Sequence, residues 1–110
     1  MSYEILTLSV FDKQLKRLAK KYSSIKADLI RLSQELTNNP TLGKSLGNNL
    51  YKVRLEITSK RTGKSGVARV ITYVKIIDET IILSFIYDKA ERNTLSEGEL
   101  DDLLQLLKDD

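Results

Sequence analysis

The sequence predicts an α+β domain of order β-α-α-β-β-β-α, with an αα-hairpin and a C-terminal helix packed on one face of a mostly antiparallel four-stranded sheet. Three observations predict it. Two successive stretches before Pro40 repeat apolar residues at helical spacing. Three runs between Leu50 and Tyr87 are rich in β-branched and aromatic residues. The chain then closes on a capped stripe of leucines. Its 110 residues read as one domain, 1–110, able to bury roughly 60–70% of the unfolded surface in a single core without staples.

Tyr3 to Leu8, "YEILTL", reads as a short strand. Ser9 then precedes a helical pattern, with Asp12 three residues on in capping-box spacing. Phe11, Leu15, Leu18, Ala19 and Tyr22 mark the buried face of this helix, and Lys13, Lys16, Arg17, Lys20 and Lys21 fill the rest. After "YSS", Ile25, Leu29, Leu32 and Leu36 form the stripe of a second helix. "NNP" (Asn38 to Pro40) ends it, because the residue before proline resists helical geometry. "TLGKSLGNN" reads as a loop punctuated by Gly43 and Gly47.

Three strands follow, at about Leu50–Ile57, Val67–Lys75 and Thr80–Tyr87. In the first, Tyr51, Val53, Leu55 and Ile57 point one way and Lys52, Arg54 and Glu56 the other. In the second, Ala68, Val70, Thr72 and Val74 oppose Arg69, Ile71, Tyr73 and Lys75. The third, "TIILSFIY", is apolar on both sides and belongs inside the sheet. Ser96 and Glu99 cap the last helix, whose stripe is Leu100, Leu103, Leu104 and Leu107. Acids crowd its first turns, where the helix dipole favours them.

Composition excludes several chemistries. The chain has no Cys and no His, which removes disulfides, thiolate or zinc sites and histidine acid–base catalysis, and no cofactor is expected. Its apolar runs are short and its first residues lack the basic and apolar regions of a leader, so a cytoplasmic protein without membrane spans is expected. The net charge of +3 conceals strong segregation. Residues 1–49 carry +4, residues 50–75 carry +6 and residues 76–110 carry −7. A solvated basic loop beside an acidic surface helix would produce this pattern, and so would a polyanion partner at the basic segment.

The basic segment sharpens the choice. Lys52 and Arg54 share a sheet face, and in a paired hairpin Arg69 joins them across the strands, although like charges facing one another destabilise a sheet. The intervening "TSKRTGKSG" adds Lys60, Arg61 and Lys64, with Gly63 and Gly66 permitting close backbone approach. Arginine forks and lysine point charges both match phosphodiesters. Tyr73 falls on the same face as Arg69, where it either packs into the sheet or stacks a base of single-stranded RNA. Glu56 reads as an ion-pair partner of Arg54 or Lys52, or else as a general base. Both "GKS" stretches echo a phosphate-binding P-loop. That motif needs a further Gly where Thr58 and Asn38 stand, and it must open a helix, which neither stretch does.

With "LYKVRL", a basic loop leading to "ARVITY", and "YDKAERNTLS" in this order, the chain resembles the RelE/ParE superfamily of bacterial type II toxins, nearest its RelE and HigB-like ribonuclease branch. The resemblance covers nearly the whole chain. It implies a cytoplasmic mRNA endonuclease acting in the ribosomal A site and silenced by a cognate antitoxin, with the isolated toxin monomeric. It places basic functional residues at Lys52, Arg54 and Arg69, and a recurrent lysine at Lys89. The sequence departs from RelE at two catalytic positions: Ala90 stands for an arginine and Ser96 for a tyrosine.

The implied reaction is metal-independent transphosphorylation. Arg54 and Arg69 stabilise the phosphorane, and Lys52 or Glu56 serves as general base. Tyr73 or Tyr87 holds a base, and Lys60, Arg61 and Lys64 grip ribosomal RNA. Two other readings share the resemblance: a ParE-like inhibitor of DNA gyrase, and an inactive homologue that only binds an antitoxin.

Overall fold

The structure, a computed structural model, describes residues 3–59 and 66–108. Five strands and three helices follow in the order β1 (Glu4–Thr7), α1 (Ser9–Lys21), α2 (Ile25–Asn38), β2 (Lys44–Gly47), β3 (Leu50–Glu56), β4 (Val67–Lys75), β5 (Thr80–Asp88) and α3 (Glu97–Lys108). They form one sheet of order β1-β5-β4-β3-β2, in which β1 runs parallel to β5 and every other pairing is antiparallel.

The sheet has one strand more than the four expected. Residues 44–47, read as loop, pair with β3 through a two-residue turn at Asn48 and Asn49, both at positive φ (54° and 65°). This is the backbone that tight antiparallel hairpins require, and asparagine tolerates it better than most residues. Gly43 just before β2 and Gly47 at its end disguised it, since glycine has low strand propensity.

Helices cover both faces of the sheet, where the sequence pointed to one. Phe11 and Leu18 of α1 and Ile25, Leu32 and Leu36 of α2 pack against Val53, Leu55, Val70, Ile81, Leu83 and Ile86. On the opposite face Leu103 and Leu107 of α3, with Leu95, cover Leu50, Ile71, Ile82 and Tyr87. The reason lies in β5, whose residues are apolar in both directions. Each face therefore needs its own cover to escape water.

Capping differs at the two ends. No side chain caps α1, which starts at Ser9 itself, and the Asp12 N–H donates to the Leu8 carbonyl at 3.1 Å. At α3 the expected box forms. The Ser96 N–H donates to Glu99 Oε1 at 2.9 Å and the Glu99 N–H to Ser96 Oγ at 3.1 Å.

Two buried carboxylates tie the helical layer to the strands. Asp28, 1% exposed, accepts bonds from Ser24 Oγ (2.7 Å), the Thr58 N–H (3.1 Å), Thr58 Oγ1 (2.8 Å) and Arg31 (2.7 Å). Burial pushes its carboxyl upward, but the bonds from Ser24, Thr58 and Arg31 prevail and hold it below the usual range. Asp88, fully buried at the end of β5, accepts from the Tyr22 hydroxyl and from the Ala90 N–H at 2.9 Å. Lys21 Nζ lies 3.6 Å from it. No helix among the described residues is long and apolar enough to cross a membrane.

Candidate functional site

The face of the sheet under α3 brings Lys52, Arg54, Arg69 and Tyr73 together. Residues directly opposite in an antiparallel ladder share a face, so the register can be followed row by row. Leu50, Tyr73 and Ile82 form one row, Lys52, Ile71 and Phe85 the next, and Arg54, Arg69 and Tyr87 the third. A register shift between Ile71 and Thr72 absorbs Ser84 and keeps Ile82, Phe85 and Tyr87 on this one face. The α3 leucines cover the Leu50–Tyr73–Ile82 end and the β5 side. The β3 end of the charged rows stays open, with Arg54 and Glu56 exposed and Lys52 half-buried.

Arg54 and Arg69 are therefore direct cross-strand neighbours, about 4.5–5.5 Å apart at Cβ. Among the described residues no carboxylate lies within ion-pair distance of either one, or of Lys52. Arg69 is the more enclosed: its Nη1 is buried and meets no acceptor among the described residues. A buried guanidinium N–H with nothing to donate to is costly, and an anionic oxygen would relieve that cost.

Glu56 does not form the expected ion pair with Arg54 or Lys52 among the described residues. On a strand, residues two apart on one face are separated by roughly 6.7 Å along the chain, too far for a short carboxylate to close without bending back. Lys52 and Glu56 instead flank Arg54 on its own face, one on each side.

The remaining expected residues fall in different places. Lys89 is exposed just beyond β5, and its N–H donates to the Val67 carbonyl at 3.1 Å, which sets it beside the start of β4. Tyr73 is half-buried against the second core and lines a cavity of about 390 Å³ with Asn49, Val74 and Lys75. Tyr87 is 3% exposed, and its hydroxyl donates to the Asn93 carbonyl at 3.3 Å. Burial pushes its phenol up, against the opposing pull of the Arg69 and Arg92 charges. Lys60, Arg61 and Lys64 lie outside the described residues.

The chain after β5 adds a cation. The Arg92 guanidinium lies 5.9 Å from the Phe85 ring centre and 5.7 Å from that of Tyr87. It is clasped by Glu99, whose Oε2 accepts from Nη1 at 2.9 Å, and it donates to the Thr94 carbonyl at 3.2–3.3 Å. The Arg92 bond, helped by the Ser96 N–H, holds the Glu99 carboxyl at about 2. The α3 capping residue thus also orients an arginine on the sheet face.

No family model matches this chain, and no curated protein matches its sequence. Among solved structures, the chain superposes on a mutant of the Escherichia coli toxin RelE in the free state. The match has a TM-score of 0.59 and 18% identity, and it covers 83% of this chain and 87% of that one. The fold is RelE-like.

Within this RelE-like sheet, sequence reasoning overlooked two cations. Arg92 left no signal beyond its seven-residue spacing from Glu99, and that spacing gains meaning only when the loop between them folds back. Lys44, on β2, is the Cα partner of Lys52 and so extends the second row to the sheet edge. It was read as part of a loop because its strand was. The α1 lysines lie on the helical layer, across the sheet from these rows.

Proposed function

We propose that this chain is the toxin of a type II toxin–antitoxin system and acts as a ribosome-dependent mRNA endoribonuclease. The observation that carries the reading is the Arg54–Arg69 pair. Two like charges face each other across the ladder, and one has a buried N–H lacking an acceptor among the described residues. Such a pair raises the energy of the empty protein and is repaid by a ligand with two or more negative oxygens. The RelE-like fold supports a toxin of this kind.

The chemistry follows from the rows. A single RNA strand crosses the open face with its scissile phosphate between Arg54 and Arg69. The ribose 2′-oxygen attacks the adjacent phosphorus, its proton passing to Glu56, which flanks Arg54 on the same face. The P–O5′ bond breaks, leaving a 2′,3′-cyclic phosphate and a 5′-hydroxyl, with the Lys89 ammonium protonating the leaving oxygen. No metal enters this step. The two guanidiniums stabilise the extra charge on the phosphorane, where fixed cations in a partly dry site are most effective. Arg92, charge-paired with Glu99 and held over Phe85 and Tyr87, braces the Tyr87 side of this face. Tyr73 offers the half-exposed ring for a base, with Tyr87 supporting it from within the core.

In this reading the protein works in the cytoplasm as a monomer, on mRNA in the ribosomal A site. Lys60, Arg61 and Lys64 hold ribosomal RNA, and a cognate antitoxin silences the chain. The test is induced expression of the wild type and of Arg69→Ala, with primer extension on cellular mRNA. Codon-phased cuts from the wild type alone are expected. Equal cutting by Arg69→Ala would sink the assignment. Growth arrest without cuts would move the reading to a gyrase-type target, and neither effect would leave an antitoxin-binding domain.

A further inference from the structure

We infer that Lys44 and Lys52 form a second phosphate subsite, one backbone step from the Arg54–Arg69 pair, so that the site holds two successive phosphates of a single strand. This rests on the reading of the open face as an RNA site. Lys44 on β2 is the direct partner of Lys52 on β3, as Arg54 is of Arg69, so the face carries two like-charged rows in succession. Along β3 the rows are separated by roughly 6.7 Å, the rise of two strand residues. This is close to the spacing of neighbouring phosphates in an extended single strand. The single-stranded class of the substrate comes from the proposed function, in which Tyr73 takes an unpaired base.

The placement of Lys44 is specifically built. Gly43 sits at φ +99°, and a Cβ there would stand 2.4 Å from the Lys52 carbonyl oxygen, so only glycine lets the chain approach β3 this closely. At the other end of β2, Asn48 and Asn49 adopt the left-handed turn that sets the hairpin register. Positive-φ devices on either side of a four-residue strand thus pin Lys44 opposite Lys52. Lys44 is exposed, and among the described residues it has no carboxylate partner.

A lysine on an edge strand has another common use, which is to discourage edge-to-edge aggregation. That role would depend on the charge of Lys44 but not on any particular phosphate of the substrate. The experiment uses this difference. Programmed ribosomes carry mRNAs in which one phosphate flanking the scissile position, 5′ or 3′, is replaced by an uncharged methylphosphonate. Single-turnover cleavage is then compared for the wild type and Lys44→Ala.

For the wild type, one of the two flanking replacements is expected to slow cleavage roughly three- to tenfold. Lys44→Ala on unmodified mRNA should lose a similar factor, and combining it with that replacement should cost nothing further. Multiplicative losses at both flanking positions, or no loss in Lys44→Ala, would overturn the subsite while leaving the nuclease reading intact. Absence of cleavage by the wild type would overturn both. Unchanged thermal unfolding of Lys44→Ala separates the effect from loss of β2.

Discussion

Arg54 and Arg69 face one another as direct partners in the β3–β4 ladder, and Arg69 keeps a buried Nη1 with no acceptor among the described residues. A fold selected for stability alone would place a threonine, or an acid and a base, at such a pair. The arrangement therefore carries a stability cost that an uncharged substitution should relieve. Arg54→Thr is expected to raise the unfolding free energy by about 0.2–1 kcal/mol while abolishing mRNA cleavage. Urea denaturation checks the first part, and a variant less stable than the wild type would contradict the repulsion.

Asp28 is the base of a different construction. It is buried at the start of α2 and accepts four bonds, two of them from Thr58 where β3 gives way to the basic segment. Ser24 reinforces the junction by accepting from the Ser59 N–H at 2.8 Å and pairing with the Ser59 hydroxyl at 2.9 Å. Removing the carboxylate orphans the Thr58 N–H and hydroxyl together. Asp28→Ala should cost about 1–3 kcal/mol in equilibrium unfolding.

Tyr22 and Asp88 join α1 to the turn that projects Lys89 and Arg92. Asp88 Oδ1 holds the Ala90 N–H, and the Asp88 carbonyl receives the Glu91 and Arg92 N–H groups at 2.9 and 3.2 Å. Tyr22→Phe keeps the ring and removes one donor to a carboxylate that has no access to water. The expected cost is about 1–3 kcal/mol. A change within a few tenths of a kcal/mol would show that the other partners of Asp88, among the described residues Lys21 and the Ala90 N–H, satisfy it without Tyr22.

Acid should weaken the α3 start before the rest of the fold. The folded-state carboxyl of Glu99 is depressed to about 2 from an ordinary 4.5. Its contribution is fully present above pH 4.5 and is lost as the pH falls from there towards 2. Asp28, also depressed, adds a loss in the same direction below its ordinary 3.8. In Glu99→Gln the acid sensitivity of α3 should flatten, read as hydrogen-exchange protection of the α3 amides between pH 5 and 3, on the order of the carboxyl range. An unchanged profile would mean that the Arg92–Glu99 clasp contributes nothing to docking.

Gly43 gives the most local prediction. Gly43→Ala meets both the positive φ and the 2.4 Å approach to the Lys52 carbonyl, so β2 must shift. Loss of amide protection is expected at residues 44–47, with the β3–β4 ladder intact. Cleavage should fall as it does in Lys44→Ala, because the two variants remove the same cation from the same row.

The identity and order of most elements were legible in the sequence because they depend on local periodicity. The apolar stripes Phe11–Leu18–Tyr22 and Leu29–Leu32–Leu36 make helices wherever they are placed. The alternation Val53–Leu55–Ile57 against Lys52–Arg54–Glu56 makes a two-sided strand, and Ser96 with Glu99 caps a helix from within its own first turn. The co-facing of Lys52 and Arg54 also followed from a period of two. What only the tertiary structure decided was pairing across long sequence separations. Whether Arg69 met Arg54 or slipped by one residue to the other face, whether α3 joined the first helical layer or covered the opposite face, and whether Arg92 folded back onto Phe85 and Glu99 are questions of register and layer choice. So was β2, a strand too short and too rich in glycine to announce itself, which exists because two asparagines accept a left-handed turn and β3 offers an unpaired edge. Periodicity is set by the backbone over a few residues. Register and layering are set by which distant surfaces bury the most apolar area together, and that information belongs to no single stretch of the chain.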